Sequence, residues 1–389
     1  MLLPFKHKGR FLKIKNMATA TQAVTNERFS FSSSIAADVW HPKQNSQAFE
    51  WWYFDALSED GRDAVVIIFL DNFIFSPRYN SSNRKINKLA DKLRRKKTAL
   101  CQKCFPAIAF TYYRDGKPKY RAINEFLPEE FSAGETEPSC VIGDNHFRLD
   151  TAPYGSGYTL SINAKLRKNR NLKANFEWLS IESDFLPGNP IIAEDAHSWN
   201  LVTARADVSG RINIDDDRGV SLDTVNFRGT GYHDHNLDNR WMPETVSDWQ
   251  WGRAHFSDAT AVFYRYNEHG APNPTTKLFT VRDGALRDRD ASYEETVFAR
   301  DVFGIKYPQR LTLVTDDDVR LRVKQTKIID ASFFYLRFLS EMTLTLRDGK
   351  PRKTVGITEY LNPKALKYGW LDWLTNMRIG RNGKGSFLP

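Results

Sequence analysis

Two aromatic segments, roughly half a chain apart, constrain what this sequence can fold into. Glu50-Trp51-Trp52-Tyr53-Phe54-Asp55-Ala56 and Asp248-Trp249-Gln250-Trp251-Gly252-Arg253-Ala254 align on Trp51 and Trp249, with an alanine at the same offset (Ala56, Ala254). Each is followed by a polar turn (Ser58-Glu59-Asp60-Gly61; Ser257-Asp258) and then an apolar run (Ala64-Val65-Val66-Ile67-Ile68-Phe69; Ala261-Val262-Phe263-Tyr264). A strand-turn-strand unit used twice at that distance predicts two similar β-domains in tandem. Length agrees, because 389 residues exceed the usual span of one hydrophobic core. The reading is residues 1–36 as a flexible basic N-terminal segment, 37–240 as the first domain and 241–389 as the second, ending in a helical tail.

Further strand-like segments recur at 107–113, 158–166, 201–209, 278–281, 311–314, 321–323, 341–346 and 354–360. Arg114-Asp115-Gly116-Lys117, Arg282-Asp283-Gly284 and Arg347-Asp348-Gly349 between them are hairpin signals. Helical pattern outside the insertion described next is confined to 363–377. Many short strands with regular turns predict an all-β sandwich or barrel, and a small closed barrel can hold an apolar ligand.

The net charge of +9 is concentrated in residues 84–103, where nine Lys and Arg side chains face Asp91 alone. Ile86, Leu89, Ala90, Leu93 and Leu100 recur there at helical spacing, which predicts a basic amphipathic helix inserted at about 82–104. Such a helix suits a lid, a membrane surface or a solvated insertion, and these stay open. No nucleic-acid motif accompanies it, so nucleic acid is not expected. Cys101, Cys104 and Cys140 are too few for a disulfide framework, and Cys101-Gln102-Lys103-Cys104 lacks the second pair a zinc site needs. No apolar run reaches the roughly 18 residues of a membrane helix, and the leader before Met17 is basic without a signal core, so Met1 or Met17 could begin a cytoplasmic protein.

Two polar constellations interrupt the β pattern. In Gly229-Thr230-Gly231-Tyr232-His233-Asp234-His235-Asn236 a strand sends His233 and His235 to one face and Tyr232, Asp234 and Asn236 to the other. A two-histidine metal site, a hydrogen-bonded cluster and an acid–base site all remain open on these residues. The second is Gly356-Ile357-Thr358-Glu359-Tyr360, a late strand bearing one carboxylate.

The segment 50–55, then 231–236, then Trp249-Gln250-Trp251-Gly252-Arg253 resembles the carotenoid 1,2-hydratase (hydroxyneurosporene synthase) and AttH-like family, in matching order over most of the chain after about Ala37. The resemblance implies two tandem lipocalin-like (calycin-type) antiparallel barrels, no cofactor and no metal, and an unsaturated isoprenoid or polyene substrate held in a barrel cavity. Its hydratase pattern, His-x-Trp and then Tyr-x-Asp, is met in part. His235-Asn236-Leu237 lacks the tryptophan, and Tyr264-Arg265-Tyr266 has tyrosine for the aspartate. For protonating an isolated alkene, a carboxylic acid kept neutral by an apolar pocket is a suitable donor. With that aspartate missing, Asp234 between two histidines is the preferred donor, with His233, His235, Tyr264 and Tyr266 as catalytic companions. Trp52, Trp251, Glu50, Glu359 and Tyr232 are expected to contact substrate, aromatic faces steadying a developing cation. Hydration, cyclisation or isomerisation, and a pericyclic reaction all fit. A carrier of an apolar ligand is the alternative, and a buried carboxylate directed into the cavity would favour the enzyme.

Overall fold

The computed structural model describes residues 28–43, 45–93, 104–152, 155–187 and 196–388. Apart from short helical pieces the described chain is β-structure in two units. The second is a closed eight-stranded barrel running from Val246–His255 through Thr260–Glu268, Thr275–Arg282, Ala285–Arg300, Lys306–Thr315, Arg320–Ala331 and Tyr335–Thr345 to Pro351–Leu361, which pairs back with the first strand. The first is a thirteen-stranded sheet with Phe49–Ser58 near its centre, between Asp63–Leu70 and Ser221–Asp238. Its strand order does not close. It rolls up until the Asn124 amide donates to the Lys165 carbonyl (3.1 Å) and accepts from the Lys165 N–H (2.7 Å), so a side chain pins the seam where a ladder would close a barrel.

Strand identity follows from the β-branched and aromatic runs, and the hairpins from their turn residues. Asp115-Gly116 and Asp283-Gly284 each hold two consecutive positive φ angles, the two-residue geometry whose twist matches that of the flanking strands.

Alternation along the central strands assigns every side chain to one of two places. Trp52, Phe54, Val65, Ile67 and Phe69 point into the rolled first sheet and pack with Tyr158 and Trp178. Ala254, Phe263, Leu278, Leu313 and Leu344 fill the second barrel. At Gly252 an added Cβ would lie 2.5 Å from the Phe263 ring, so only glycine lets that filling approach the strand. The opposite faces form a joint between the two units, where Trp51, Tyr53, Trp251, Tyr264 and Tyr266 share one core. The equivalent residues of the repeat meet there. Trp51 stacks on Trp249 with centroids 5.8 Å apart, and Tyr53 meets Trp251 edge-on at 5.4 Å. The expectation of a ligand cavity inside a barrel is corrected for the apolar cavity, which lies at the joint; the first sheet's interior is filled by side chains, and a second, more polar cavity is lined by Asp248, Arg265, Glu295 and Tyr360 of the second barrel.

Two further expectations change. The inserted helix begins at Pro77 and is described to Leu93; residues 94–103 lie outside the described residues. Its buried face is Tyr79, Asn80, Asn83 and Asn87, at spacings of three and four, while Leu89 is exposed. Two of the asparagines are satisfied by hydrogen bonds: Asn80 accepts from Trp241 Nε1 (2.9 Å) and Asn87 from Gln47 (3.0 Å), while Asn87 also donates to Glu244. Residues 29–32 of the segment read as flexible form a strand parallel to residues 197–200. The tail contains 3₁₀ turns at Pro363–Lys367 and Gly369–Leu371 and the helix Asp372–Asn376, and it then returns to the first sheet, Gly380–Arg381 pairing with Asn124 and Glu125. No helix among the described residues is long and apolar enough to cross a membrane.

Removing a buried aromatic at the joint should cost about 3–5 kcal/mol. Trp51→Ala is expected to lower the urea midpoint accordingly; a loss below about 1 kcal/mol would show that the joint contributes little to holding the fold together.

Candidate active site between the two sheets

A cavity of about 300 Å³ lies at the joint. Trp51, Tyr53, Trp249 and Trp251 form one wall, Phe73, Ile74, Phe75, Phe333 and Phe334 another, and the polar lining includes Asp234, Asn236, Arg121, Asp330, Arg337, Glu359 and Arg378.

Strand pairing sets the positions around the acid. Asp234 is opposite Tyr53 and Asn236 opposite Trp51, so these face the cavity, while His235 opposite Trp52 and His233 opposite Phe54 face the interior of the first sheet. Asp234 is 4 % exposed. One carboxylate oxygen accepts from Trp199 Nε1 (3.0 Å) and the Tyr232 hydroxyl (2.8 Å), the other from the Asn236 amide (2.9 Å).

Its surroundings separate it from the other buried carboxylates described here. Asp55 meets the Arg253 guanidinium, Glu50 the Lys43 ammonium, Glu359 the Arg337 guanidinium at 2.9 Å, and Asp238 the Arg240 guanidinium at 2.9 Å. Asp234 receives only neutral donors. Burial therefore dominates and pushes its pKa up to about 7; the bonds from Trp199 and Tyr232 oppose the shift, and the negative charges of Glu359 and Asp55 add to it. A carboxyl group that keeps its proton near neutrality faces an aromatic-walled space.

The two histidines do something else. His233 Nε2 lies 2.9 Å from Asp38 Oδ2, and its ring stacks on Phe54 at 3.8 Å. His235 bridges Glu50 (2.6 Å) and Asp38 (3.2 Å). Burial disfavours its charged form, but Glu50 and Asp38 outweigh that and hold its pKa up at about 9. The expectation that they set the protonation of Asp234 is corrected: they lie on the far face of the strand. His41, Glu50 and His235 place potential metal-ligand atoms within 4.8 Å of one another. The donor set does not suit a metal, because His235 is held protonated and the Lys43 ammonium already bridges Glu50 and Asp71.

Trp52 and Glu50 share that far face. Trp52 is fully buried against His235 (4.8 Å), so neither residue contacts the cavity and the substrate-binding expectation for both is corrected. Trp251 and Glu359 do line it, with Glu359 also accepting from the Tyr53 hydroxyl (3.1 Å). Tyr232 lies one layer back, bonded to Asp234. Tyr264 and Tyr266 also lie behind the lining. The Tyr264 hydroxyl is 2.6 Å from His197 Nε2, and the Tyr266 ring stacks on His197 at 4.9 Å. Sequence reasoning missed Trp51, Tyr53, Trp199, Asn236 and the three cavity arginines. The first two and Asn236 share the Asp234 face by alternation, a signal present in the sequence; Trp199 and Arg378 carry none.

Fold and site thus define a two-unit β-protein with an acid-bearing apolar cavity at the joint. The family model described as carotenoid hydratase CrtC matches residues 187–387, just over half of the chain, and the chain belongs to that enzyme family. It is 28% identical over 362 residues to the hydroxyneurosporene dehydrogenase of Chlorobaculum tepidum, a match covering 90% of this chain and 92% of the relative. Among solved structures it is similar to CghA with Sch210972 (TM-score 0.55, 14% identity, covering 85% of this chain and 96% of that one) and to a protein described as AttH from Nitrosomonas europaea (0.55, 15%, 85% and 97%). At those identities the likeness shows the fold alone.

Infrared titration of the Asp234 carboxyl should give a midpoint near 7. Trp199→Phe removes a bond that favours the ionised form and should raise it further; a midpoint in the ordinary carboxylate range would contradict the assignment of a neutral acid.

Proposed function

We propose that the chain is a carotenoid-type hydratase that adds water across an isolated double bond of an unsaturated hydrophobic substrate, with Asp234 as the general acid. The observation that carries this reading is the placement of a carboxyl group with a pKa of about 7 on the wall of an aromatic cavity. The family description, carotenoid hydratase, supports both the substrate class and the reaction.

In the proposed step the alkene π pair takes the Asp234 proton, forming a C–H bond at the less substituted carbon and leaving a tertiary cation beside it. Asp234 becomes a carboxylate, and the Trp199, Tyr232 and Asn236 donors that already point at it stabilise the new charge without rearrangement. The faces of Trp51, Trp249 and Trp251 steady the cation without offering it a nucleophile. Water adds to the cation, and the proton it sheds returns to Asp234, so the net change is one water. If water is kept out, an internal double bond attacks instead, and loss of a neighbouring proton to Asp234 gives an isomer of unchanged mass.

The directed carboxyl favours an enzyme over a carrier. The acid must be protonated to act, so kcat/KM is expected to be level below about pH 6 and to fall tenfold per unit above about pH 7. Asp234→Asn should lower turnover by about 10²–10⁴-fold with folding intact. Incubation with acyclic polyenes in heavy-oxygen water, followed by mass spectrometry, is expected to give a product carrying one labelled oxygen. An isomer without label would replace hydration by cyclisation or isomerisation, and bound but unchanged ligand would return the carrier reading.

A further inference from the structure

Among the described residues the charges lining the cavity do not cancel. Three guanidiniums, those of Arg121, Arg337 and Arg378, face two committed carboxylates, Asp330 and Glu359, once the largely neutral Asp234 is set aside. Arg337 donates to Glu359 (2.9 Å), and Arg121 reaches Asp330 (2.8 Å). Arg378 has no carboxylate within ion-pair distance among the described residues. It donates to the Ala331 carbonyl (2.9 Å) and lies over the Phe303 ring at 5.9 Å. Burial and the neighbouring Arg121 both disfavour its charge, with the already engaged Asp330 opposing them. Arg121 adds a second open valence: its Nε is buried with no hydrogen-bond partner among the described residues. Arg378 is half-buried and a guanidinium stays protonated in such a place, so an anion would complete the site.

The position of this surplus gives it meaning. Tyr53 bonds Glu359, Glu359 bonds Arg337, Arg337 bonds the Tyr113 hydroxyl (3.1 Å), and Tyr113 bonds Asp330 (3.3 Å), which pairs with Arg121. That chain runs along the cavity from the side of Tyr53, the strand partner of Asp234, to the side of Arg121 and Arg378. We propose that the substrate carries a carboxylate at one end, seated between Arg121 and Arg378, and that its unsaturated apolar chain extends from there to Asp234 and the tryptophan wall. The surplus is one positive charge, which a monoanionic carboxylate neutralises and a multiply charged diphosphate overshoots. Arg378 then acts as a specificity-determining residue: anchoring the charged end fixes which double bond lies against the acid. This inference rests on the proposed function for the identity of the cavity, and it adds the chemical class of the substrate's head.

The test uses the full chain and cis-parinaric acid, a linear fluorescent polyene carboxylate, beside its methyl ester, at about pH 6, above the usual carboxylate range and below the Asp234 pKa of about 7. The acid is expected to bind at least about tenfold more tightly than the ester. Arg378→Gln should bring the two together by weakening the acid alone, and Arg378→Lys should keep part of the preference, with circular dichroism confirming the fold of both variants. Equal binding of acid and ester to the unaltered protein, or an undiminished preference in Arg378→Gln, overturns the inference while leaving the apolar-cavity reading in place. Failure of both probes to bind overturns that reading as well. Displacement of the acid by farnesyl diphosphate more readily than by farnesoic acid would overturn the carboxylate in favour of a phosphate head.

Discussion

The rest of the structure depends on the fact that the first aromatic hairpin is largely apolar on both faces. A strand such as Phe49–Ser58 cannot leave either face in water, since each large aromatic buries on the order of 150–250 Å². One face closes its own sheet. The other must find a second apolar face, and the repeat supplies one in Val246–His255. The joint is therefore a consequence of duplication, with Trp51 against Trp249 and Tyr53 against Trp251. The apolar cavity lies at this joint, bounded by residues of both units.

An apolar joint makes each buried charge within it costly unless it finds a partner. Asp55 and Arg253, Glu359 and Arg337, and Asp330 and Arg121 do so across strands or between the two units, and the Tyr53 and Tyr113 hydroxyls link the pairs into one network. These bonds tie the first sheet to the barrel with defined geometry, while the aromatic packing supplies the drive. Two residues stand outside the pairing. Among the described residues Asp234 has donors but no cation, so it holds a proton, and Arg378 has a carbonyl but no carboxylate partner. Both line the same space, and both are features that folding alone would be served by removing.

Much of this was legible in the sequence. The hairpins, the turn at Asp115-Gly116 and the separation of Asp234 from His233 and His235 follow from period-two alternation and turn chemistry. The same alternation could not say which face of Phe49–Ser58 points at ligand, because both are apolar, and that is why Trp52 was expected where Trp51 stands. The inserted helix misled for a related reason. Its leucines mark a stripe, but the surface it meets offers hydrogen bonds from Trp241 and Gln47, so asparagines are the residues it buries. Asp234 was identified as the acid from its neighbours in sequence, yet what sets its proton is desolvation beside Trp199, Tyr232 and Glu359, contacts made by folding. Arg378 arrives from a tail whose return to the first sheet no local pattern announces.

The central claim is that Asp234 delivers a proton to carbon. The direct measurement is to run the reaction in deuterium oxide and count non-exchangeable deuterium in the product by mass spectrometry. The account predicts one deuterium on carbon for the unaltered protein, whichever fate the cation meets, and no such product from Asp234→Asn. Product that forms at full rate without deuterium would mean that the cavity works by shape alone and that the acid on its wall takes no part in the chemistry.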